Sequence, residues 1–247
     1  MRYLILSDIH ANVTALDAAL EAAKGRWDKV LCLGDVVGYG PDPNEVIDCV
    51  RKLDALAIRG NHDKAGSGIA NADDFNPVAR NVALWTRDQL RPENRKWLEE
   101  LPTGPVSVGE FSLVHGAFRD EDEYVFAPAQ ALEGLLDAPS PITFFGHTHL
   151  QGGFTLRDNK VGVLHFKPAA NSLSSTLTIE PGTTYLLNPG SVGQPRDGDT
   201  RAAFAIADIA NNTIEFWRVP YDIAAVQERM ATAGLPDPLI RRLSFGR

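Results

Sequence analysis

The sequence predicts an α/β fold, and three observations support this prediction. Apolar runs alternate with amphipathic stretches over the first sixty residues, in the order strand, helix, strand, helix, strand. After Gly152 the chain changes to closely spaced apolar runs separated by Asn, Gly and Asp, which is typical of β-structure. Five of the six histidines lie in short polar motifs that follow predicted strands. The fold is therefore expected to gather polar side chains at the ends of its strands.

The first sixty residues contain three predicted strands and two predicted helices. Strands are expected at residues 3–6, 30–33 and 55–58, and helices at residues 12–24 and 43–52. Helical crossovers of this kind connect parallel strands, and ligands of open α/β sheets gather just beyond the carboxyl ends of the strands. Asn12 is suited to cap the first helix and Pro43 to begin the second.

The remaining elements follow from the same patterns. Residues 77–101 are expected to form two helical segments broken near Pro92, residues 106–108 and 111–114 a hairpin, residues 128–137 a helix and residues 142–145 a strand. Strands predicted at 153–156, 161–166, 177–179, 185–187, 202–209 and 213–219 are expected to form a second, largely antiparallel sheet. A helix follows at 222–233, with a short turn at 238–243. We expect residues 1–247 to form one domain, with a helical insertion at about 71–101 that caps the site.

Composition and charge limit the classes of partner. The formal net charge of −8 argues against a general affinity for nucleic acid or an anionic membrane, because phosphate neutralisation needs a basic face. No apolar run approaches the length of a membrane span. A secretory signal is not expected, since Arg2 to Leu6 leads directly into a polar motif at Asp8. We therefore expect a cytoplasmic protein that acts on a small molecule.

The histidine motifs predict a metal site. They are Asp8-Ile9-His10, Gly60-Asn61-His62-Asp63, Val114-His115-Gly116 and Gly146-His147-Thr148-His149, and Gly34-Asp35 adds a further carboxylate after a predicted strand. Imidazoles, carboxylates and one amide in these numbers provide enough ligands for two adjacent divalent ions. The mixture of anionic oxygens and neutral nitrogens suits Mn, Fe, Zn, Co or Ni better than Ca or Mg. The sequence therefore predicts a binuclear metallohydrolase.

Such a site predicts phosphate ester hydrolysis. Two metal ions about 3.5–4 Å apart activate a bridging water as the nucleophile and neutralise charge on a phosphoryl group. The leaving oxygen then needs a proton, and His62, next to Asn61, is placed to assist it.

The motifs between Ser7 and His149, in this order and spacing, resemble those of the calcineurin-like metallophosphoesterase superfamily. The turn from Asn188 to Gly193 extends the resemblance to its small prokaryotic branch of phosphodiesterases and phosphatases. The resemblance implies a four-layer α/β/β/α sandwich of two mixed sheets flanked by helices, with the site at one edge of the sheets. It also implies a role for each ligand: Asp8, His10 and His149 at the first metal, Asn61, His115 and His147 at the second, Asp35 bridging both, and His62 as the catalytic histidine that contacts phosphate.

One departure from the superfamily concerns the second motif. Its protein Ser/Thr phosphatases continue this motif as Gly-Asp-x-x-Asp-Arg-Gly, whereas Gly38 and Tyr39 replace the second Asp and the Arg in this chain. The missing Arg would bind phosphate and the missing Asp would orient the catalytic histidine, so a protein-phosphatase assignment is weakened. We expect Asp63 to orient His62 instead.

Other residues are candidates for substrate binding, namely Asn12, Tyr39, Arg59 and Arg196. Arg196 is the most informative, because it lies in a predicted loop at 193–198 from which an Arg fork would grip a phosphate oxygen. The alternative is a solvated surface Arg. Arg119 adjoins the acidic run at 120–123, where a surface ion pair is expected, and the run itself is either a solvated loop or a guard at the mouth of the site.

The sequence favours a metal-dependent phosphohydrolase acting on a small phosphomonoester or phosphodiester. Cleavage of a nucleotide or dinucleoside polyphosphate is an alternative. A non-catalytic scaffold that binds metal and a protein partner is a third possibility, and retention of His62 and Asp35 argues against it.

Overall fold

The computed structural model describes residues 1–168 and 172–247. The strands are β1 Arg2–Leu6, β2 Lys29–Cys32, β3 Leu56–Ala57, β4 Val106–Val108, β5 Phe111–Leu113, β6 Ile142–Phe144, β7 Gly152–Arg157, β8 Lys160–His165, β9 Ser174–Thr178, β10 Thr184–Asn188, β11 Ala202–Asp208 and β12 Thr213–Val219. The helices are α1 Val13–Ala23, α2 Pro43–Lys52, α3 Asn61–Ser67, α4 Pro77–Gln89, α5 Pro92–Glu99, α6 Pro128–Asp137, α7 Ile223–Thr232 and α8 Asp237–Arg242.

The strands form two mixed six-stranded sheets. The first has the order β3-β2-β1-β11-β12-β9, in which β1, β2 and β3 are parallel and the other neighbours are antiparallel. The second has the order β4-β5-β6-β10-β7-β8, in which β5, β6 and β10 are parallel. Each sheet thus combines a parallel half, whose carboxyl ends face one edge, with an antiparallel half.

The prediction of a separate antiparallel sheet after Gly152 is wrong. Strands β9, β11 and β12 complete the first sheet, while β7, β8 and β10 complete the second. Burial explains the observed arrangement. The first six residues of β11 are all buried, so this strand lies in the interior of a sheet, where it pairs with β1. A continuous apolar run does not specify its neighbours in the sheet.

The two sheets pack face to face, with helices on the outside. Alternate residues of β1 point in opposite directions: Tyr3 and Ile5 face the second sheet and pack in one cluster with Phe111, whereas Leu4 and Leu6 pack in another with residues of α1 and α2. Helix α6 covers the outer face of the second sheet. These layers confirm the four-layer α/β/β/α sandwich.

Most predicted helices are confirmed with small shifts at their ends. Helix α1 begins after Asn12, whose side chain accepts a hydrogen bond from the Ala15 backbone N–H. Helix α3 was not predicted, because Asn61–Ser67 has no apolar periodicity. The Asp63 carboxylate stabilises its first turn by accepting a hydrogen bond from the Gly60 N–H. Among the described residues, no helix has both the length and the apolar character needed to cross a membrane.

Candidate metal centre

The metal-binding candidates follow strands of both sheets. Asp8 and His10 follow β1, and Asp35 follows β2; the Asp8 N–H donates to the Gly34 carbonyl at 3.1 Å and the His10 N–H to the Asp35 carbonyl at 3.0 Å. Asn61 begins α3, directly after the loop that leaves β3. From the second sheet, His115 follows β5, and His147 and His149 follow β6. These residues therefore meet at the carboxyl ends of the parallel strands, as the alternation of strands and helices predicts.

These residues form two groups that share one carboxylate. One ligand atom from each of Asp8, His10, Asp35 and His149 lies within 4.8 Å of the others, and the same holds for Asp35, His115 and His147. All six residues are buried.

Asp35 joins the two groups. Its Oδ2 atom lies 3.6 Å from His10 Nε2 and 3.4 Å from His115 Nε2. Asn61 belongs with the second group, because its Oδ1 atom lies 3.3 Å from His115 Nε2. The structure thus brings together every residue that the sequence predicts as a metal ligand.

Backbone carbonyls fix the orientation of three imidazole rings. Since a carbonyl oxygen only accepts hydrogen bonds, the Nδ1 atom of each ring carries a proton, and Nε2 is the atom left to bind a metal once it is deprotonated. The pairs are His10 Nδ1 with the Val37 oxygen at 3.0 Å, His115 Nδ1 with the Leu33 oxygen at 2.7 Å, and His149 Nδ1 with the Gln194 oxygen at 2.6 Å.

His147 is held in the opposite way. Its Nε2 atom donates to the Asp122 carbonyl at 3.0 Å, so Nδ1 keeps the lone pair. The ring of Tyr124 stacks on the imidazole, with 3.8 Å between centroids. A metal-ligating histidine has its second ring nitrogen fixed in this manner, and all four rings satisfy that requirement.

The electrostatics of the cluster favour a bound cation. Burial raises the pKa of Asp8 to about 6, which means that its carboxylate lacks compensating positive charge. Burial opposes a charge on His115, but the neighbouring Asp35 carboxylate outweighs this effect and raises the pKa of His115 to about 10. Burial holds the pKa of His10 and of His149 well below the ordinary value, so both stay neutral. Imidazoles beside carboxylates that attract positive charge suit a divalent transition metal.

The backbone is strained at five of these ligands. Asp8, His10, Asp35, His147 and His149 have φ values of 51°, 49°, 52°, 65° and 61°, in the left-handed region that non-glycine residues rarely adopt. Such strain persists only where the surrounding structure enforces it, and it concentrates at functional sites.

Two glycines allow the loops to approach the carboxylates. A Cβ atom at Gly60 would lie 2.2 Å from Asp35 Oδ1, and one at Gly146 would lie 2.1 Å from Ser7 Oγ. Ser7 itself donates a hydrogen bond to Asp8 Oδ2 at 2.6 Å. Ser7 therefore supports a ligand, and it is not placed as a nucleophile.

A cavity of about 300 Å³ adjoins the second group. Its residues come from the second motif, α3, the segment between α3 and α4, α4 itself, the loop before α6 and the loop after β6: Tyr39, Asn61, His62, Lys64, Ala65, Ala70, Asn71, Asp74, Phe75, Asn76, Ala79, Asp122, Tyr124 and His147. Most residues of its outer wall were not predicted from the sequence, because they belong to no motif and meet only through the packing of α3 and α4.

His62 lies between this cavity and the metal ligands. Its ring packs against Tyr39 with centroids 4.3 Å apart, against Phe75 at 4.8 Å and edge-on against His10 at 4.9 Å. Burial lowers the pKa of His62 to about 4, against the opposing charge of Asp35, so the ring is neutral near pH 7.

The expectation that Asp63 orients His62 is wrong. The two oxygens of the Asp63 carboxylate accept hydrogen bonds from the backbone N–H groups of Val37, at 3.1 Å, and Gly60, at 2.9 Å. The Nδ1 atom of His62 is buried and has no hydrogen-bond partner among the described residues. Asp63 therefore holds two ligand-bearing loops together, and aromatic packing positions the ring of His62.

Two of the predicted substrate-binding residues are engaged elsewhere. Asn12 caps α1 with its oxygen and donates from Nδ2 to the Gly193 carbonyl at 3.0 Å. Arg59 forms two hydrogen bonds with the Glu121 carboxylate, at 2.9 and 3.3 Å. Both side chains are occupied by structural contacts, which the sequence motifs did not indicate.

The other two lie at the site. Tyr39 lines the cavity, and the guanidinium carbon of Arg196 lies 5.6 Å from the centroid of the Tyr39 ring. The backbone N–H of Arg196 donates to the backbone carbonyl of His149 at 3.3 Å, which connects this arginine to a candidate metal ligand.

The acidic run at 120–123 borders the cavity. Lys64 of α3 forms ion pairs with Glu121 at 2.9 Å and with Asp122 at 2.6 Å, and Asp122 lines the cavity. Arg119 pairs with Glu133 and Asp137 of α6, so the prediction of a surface ion pair is confirmed with different partners. Three of the four residues of the run are exposed, as expected of a solvated loop, and one of them also borders the cavity.

Comparisons with known proteins agree with this fold and site. Residues 1–212 match the calcineurin-like phosphoesterase superfamily domain. The uncharacterized protein MJ0912 of Methanocaldococcus jannaschii is 34% identical to this chain, over 98% of this chain and 97% of its own length.

Two solved structures are similar over nearly their whole length. A metallophosphoesterase from Sphaerobacter thermophilus is 40% identical with a TM-score of 0.87, and the match covers 100% of this chain and 99% of that chain. The hypothetical protein PH1004 from Pyrococcus horikoshii OT3 is 20% identical with a TM-score of 0.77, covers 100% and 98% of the two chains, and supports the fold alone. The fold and its site are those of a phosphoesterase with a cluster able to bind metal. The chain belongs to the calcineurin-like phosphoesterase superfamily.

Proposed function

We propose that the protein is a binuclear metal-dependent phosphohydrolase that cleaves a small phosphomonoester or phosphodiester. The observation that carries this proposal is the position of Asp35, whose carboxylate belongs to both groups of ligand atoms. A carboxylate shared between two sets of imidazoles is an arrangement that suits two adjacent divalent ions.

Each ligand has a role in this proposal. Asp8, His10 and His149 would hold the first ion, Asn61, His115 and His147 the second, and Asp35 both. The donor set suits Mn, Fe, Zn, Co or Ni. When bound, the two ions would neutralise charge on the phosphoryl oxygens and lower the pKa of water near them.

His62 would act on the leaving group. Its Nδ1 atom is buried next to Gly38, so Nε2 is the ring atom left to meet a substrate in the cavity. Because the ring is neutral near pH 7, a proton held on Nε2 would form a hydrogen bond to the leaving oxygen and assist its departure.

Other residues would bind and enclose the substrate. Arg196 would contact a phosphate oxygen, which is supported by its position over the ring of Tyr39, a residue of the cavity wall. Five residues between 71 and 79 line the cavity, which supports the proposed cap. A cytoplasmic location and the absence of nucleic-acid and membrane partners stay predictions.

Hydrolysis of nucleotides or dinucleoside polyphosphates is the second candidate. The cavity has aromatic side chains, Phe75 and Tyr124, on its walls, and Tyr124 is 39% exposed. An exposed aromatic ring beside a phosphate site would stack on a nucleobase.

The test is hydrolysis of p-nitrophenyl phosphate and bis-p-nitrophenyl phosphate by metal-stripped protein reloaded with each of Mn, Ni, Co, Zn, Fe and Mg. We expect metal-restored turnover that falls by roughly 10²–10⁴-fold in His62→Ala and is lost in Asp35→Asn. His165→Ala is the matched control, because His165 is exposed at the end of β8 and belongs to no ligand group. No turnover with any metal, despite metal binding, would contradict the proposal and favour the scaffold.

A further inference from the structure

Two arginines from distant parts of the chain converge beside the metal centre. Arg196 lies in the loop after β10, and Arg242 lies in the last turn of α8. Both donate to the same atom, Gln194 Oε1, and each of the two distances is 3.1 Å. Burial and the nearby charge of Arg196 lower the pKa of Arg242 from its ordinary value. The two like charges are therefore held close together against their mutual repulsion.

Neither guanidinium has a carboxylate partner among the residues that the structure describes. Within residues 1–168 and 172–247, no Asp or Glu oxygen forms a salt bridge with Arg196 or Arg242, whereas the half-buried Arg229 pairs with Asp42 at 2.9 Å. The Nε atom of Arg196 is buried and has no hydrogen-bond partner in the same part of the chain. A buried donor without an acceptor costs free energy unless a ligand supplies the acceptor. The pair is therefore suited to an anion from outside the protein.

The arginine pair is directly connected to the first group of ligands. The Gln194 carbonyl accepts the Nδ1 proton of His149 at 2.6 Å, while the side chain of the same Gln194 holds both arginines. Arg196 lies over Tyr39, which also lines the cavity. An anion on the two arginines would thus lie next to a phosphate at the metal ions.

We propose that Arg196 and Arg242 form a subsite for a second phosphate group of the substrate, adjacent to the phosphate that reacts. This inference rests on the proposed function. A single phosphate between two divalent ions has its charge neutralised there, so two further guanidinium groups match additional anionic oxygens. Each planar fork binds two oxygens, which is the geometry that a phosphate offers. The substrate class is therefore one with a second phosphate close to the scissile bond, such as a diphosphate.

The experiment compares methylenediphosphonate with methylphosphonate, two ligands that cannot be hydrolysed, by isothermal titration calorimetry on the Mn²⁺-loaded full-length protein. The free Mn²⁺ concentration is fixed, so chelation by the ligands affects every variant alike. The wild-type protein is expected to bind methylenediphosphonate at least about tenfold more tightly than methylphosphonate, since charge-assisted hydrogen bonds have this magnitude. Arg242→Gln is expected to remove most of this preference, and Arg242→Lys, which keeps the charge without the fork, to restore part of it.

Arg119→Gln is the control, because that arginine is exposed and pairs with α6. It is expected to keep the wild-type preference. Equal affinity of the wild-type protein for both ligands, binding of neither ligand, or an unchanged preference in Arg242→Gln would overturn the subsite. Phosphoester hydrolysis without a preference for methylenediphosphonate over methylphosphonate would overturn the subsite and leave the proposed function standing. The preference without any hydrolysis would support the subsite and contradict the proposed function.

Discussion

The backbone of Gly38 lies against the imidazole of His62, so closely that a Cβ atom at residue 38 would be 2.5 Å from Nδ1 of the ring. Gly38 occupies the place of the second Asp in the Gly-Asp-x-x-Asp-Arg-Gly motif of the protein Ser/Thr phosphatases. The ring of His62 therefore takes up space that a side chain at this place would need. This chain positions the histidine by packing against Gly38, Tyr39 and Phe75 in place of a carboxylate contact.

Gly38→Ala is expected to reduce turnover by roughly 10- to 100-fold with metal content unchanged, because the added Cβ displaces the ring of His62. Gly25→Ala is the matched control. Both glycines have a positive φ, 90° and 73°, but no atom in the described part of the chain lies within 4 Å of a Cβ at Gly25. Both variants lose roughly 1 kcal/mol or more of stability for placing Ala at positive φ. Steady-state kinetics and urea unfolding separate the two effects, and equal turnover in both variants would refute the positional role.

Lys64 is expected to stabilise the second metal site. Its ammonium group joins α3, which carries Asn61, to Asp122, whose carbonyl fixes the ring of His147. Lys64→Met leaves two carboxylates of the loop without this partner, so the affinity for the second metal should fall about 10- to 100-fold, as is usual when support for a ligand is lost. Equilibrium dialysis with elemental analysis measures this.

The first metal should be retained in Lys64→Met, and Lys64→Arg should recover part of the lost affinity because it keeps the ion pairs. If Lys64→Met bound both metals as tightly as the wild-type protein, the loop would have no part in metal binding.

Metal uptake should release protons. Asp35 raises the pKa of His115 to about 10, so in the metal-free protein this ring is protonated at pH 7 to 8, and a metal must displace the proton from Nε2. Affinity at the second site should therefore increase up to roughly tenfold per pH unit as the pH rises through this range. Calorimetry in buffers of different ionisation enthalpy counts the protons. Metal binding without proton release would show that His115 is neutral before the metal arrives.

The ligands were predictable from the sequence because each lies in a short motif directly after a strand. Parallel strands bring their carboxyl ends to one edge whatever the sheet order, so Asp8, Asp35 and His115 meet even though the later strands were wrongly predicted to form a sheet of their own. The residues that complete the site were not predictable in this way. Arg242 reaches Arg196 only through the packing of α8 near Gln194, which no local pattern indicates.

The contacts of individual side chains could not be predicted from the sequence either. Asn12 and Arg59 had the right chemistry for phosphate binding, but hydrogen bonds with Gly193 and Glu121 occupy them. Whether a protein acceptor or a substrate phosphate receives these hydrogen bonds depends on distances in the folded protein. A sequence motif states which groups are present, whereas the three-dimensional neighbours decide which of them are available to a substrate.

The measurement that tests the central claim most directly is the ratio of bound metal to protein, determined by elemental analysis after saturation and removal of free metal. Asp35 is predicted to contact both ions and His147 only the second. The wild-type protein should hold about two ions per chain, His147→Ala about one, and Asp35→Asn less than one. A wild-type protein that holds one ion or none, or an Asp35→Asn variant that keeps two, would contradict a metal centre built around a shared Asp35.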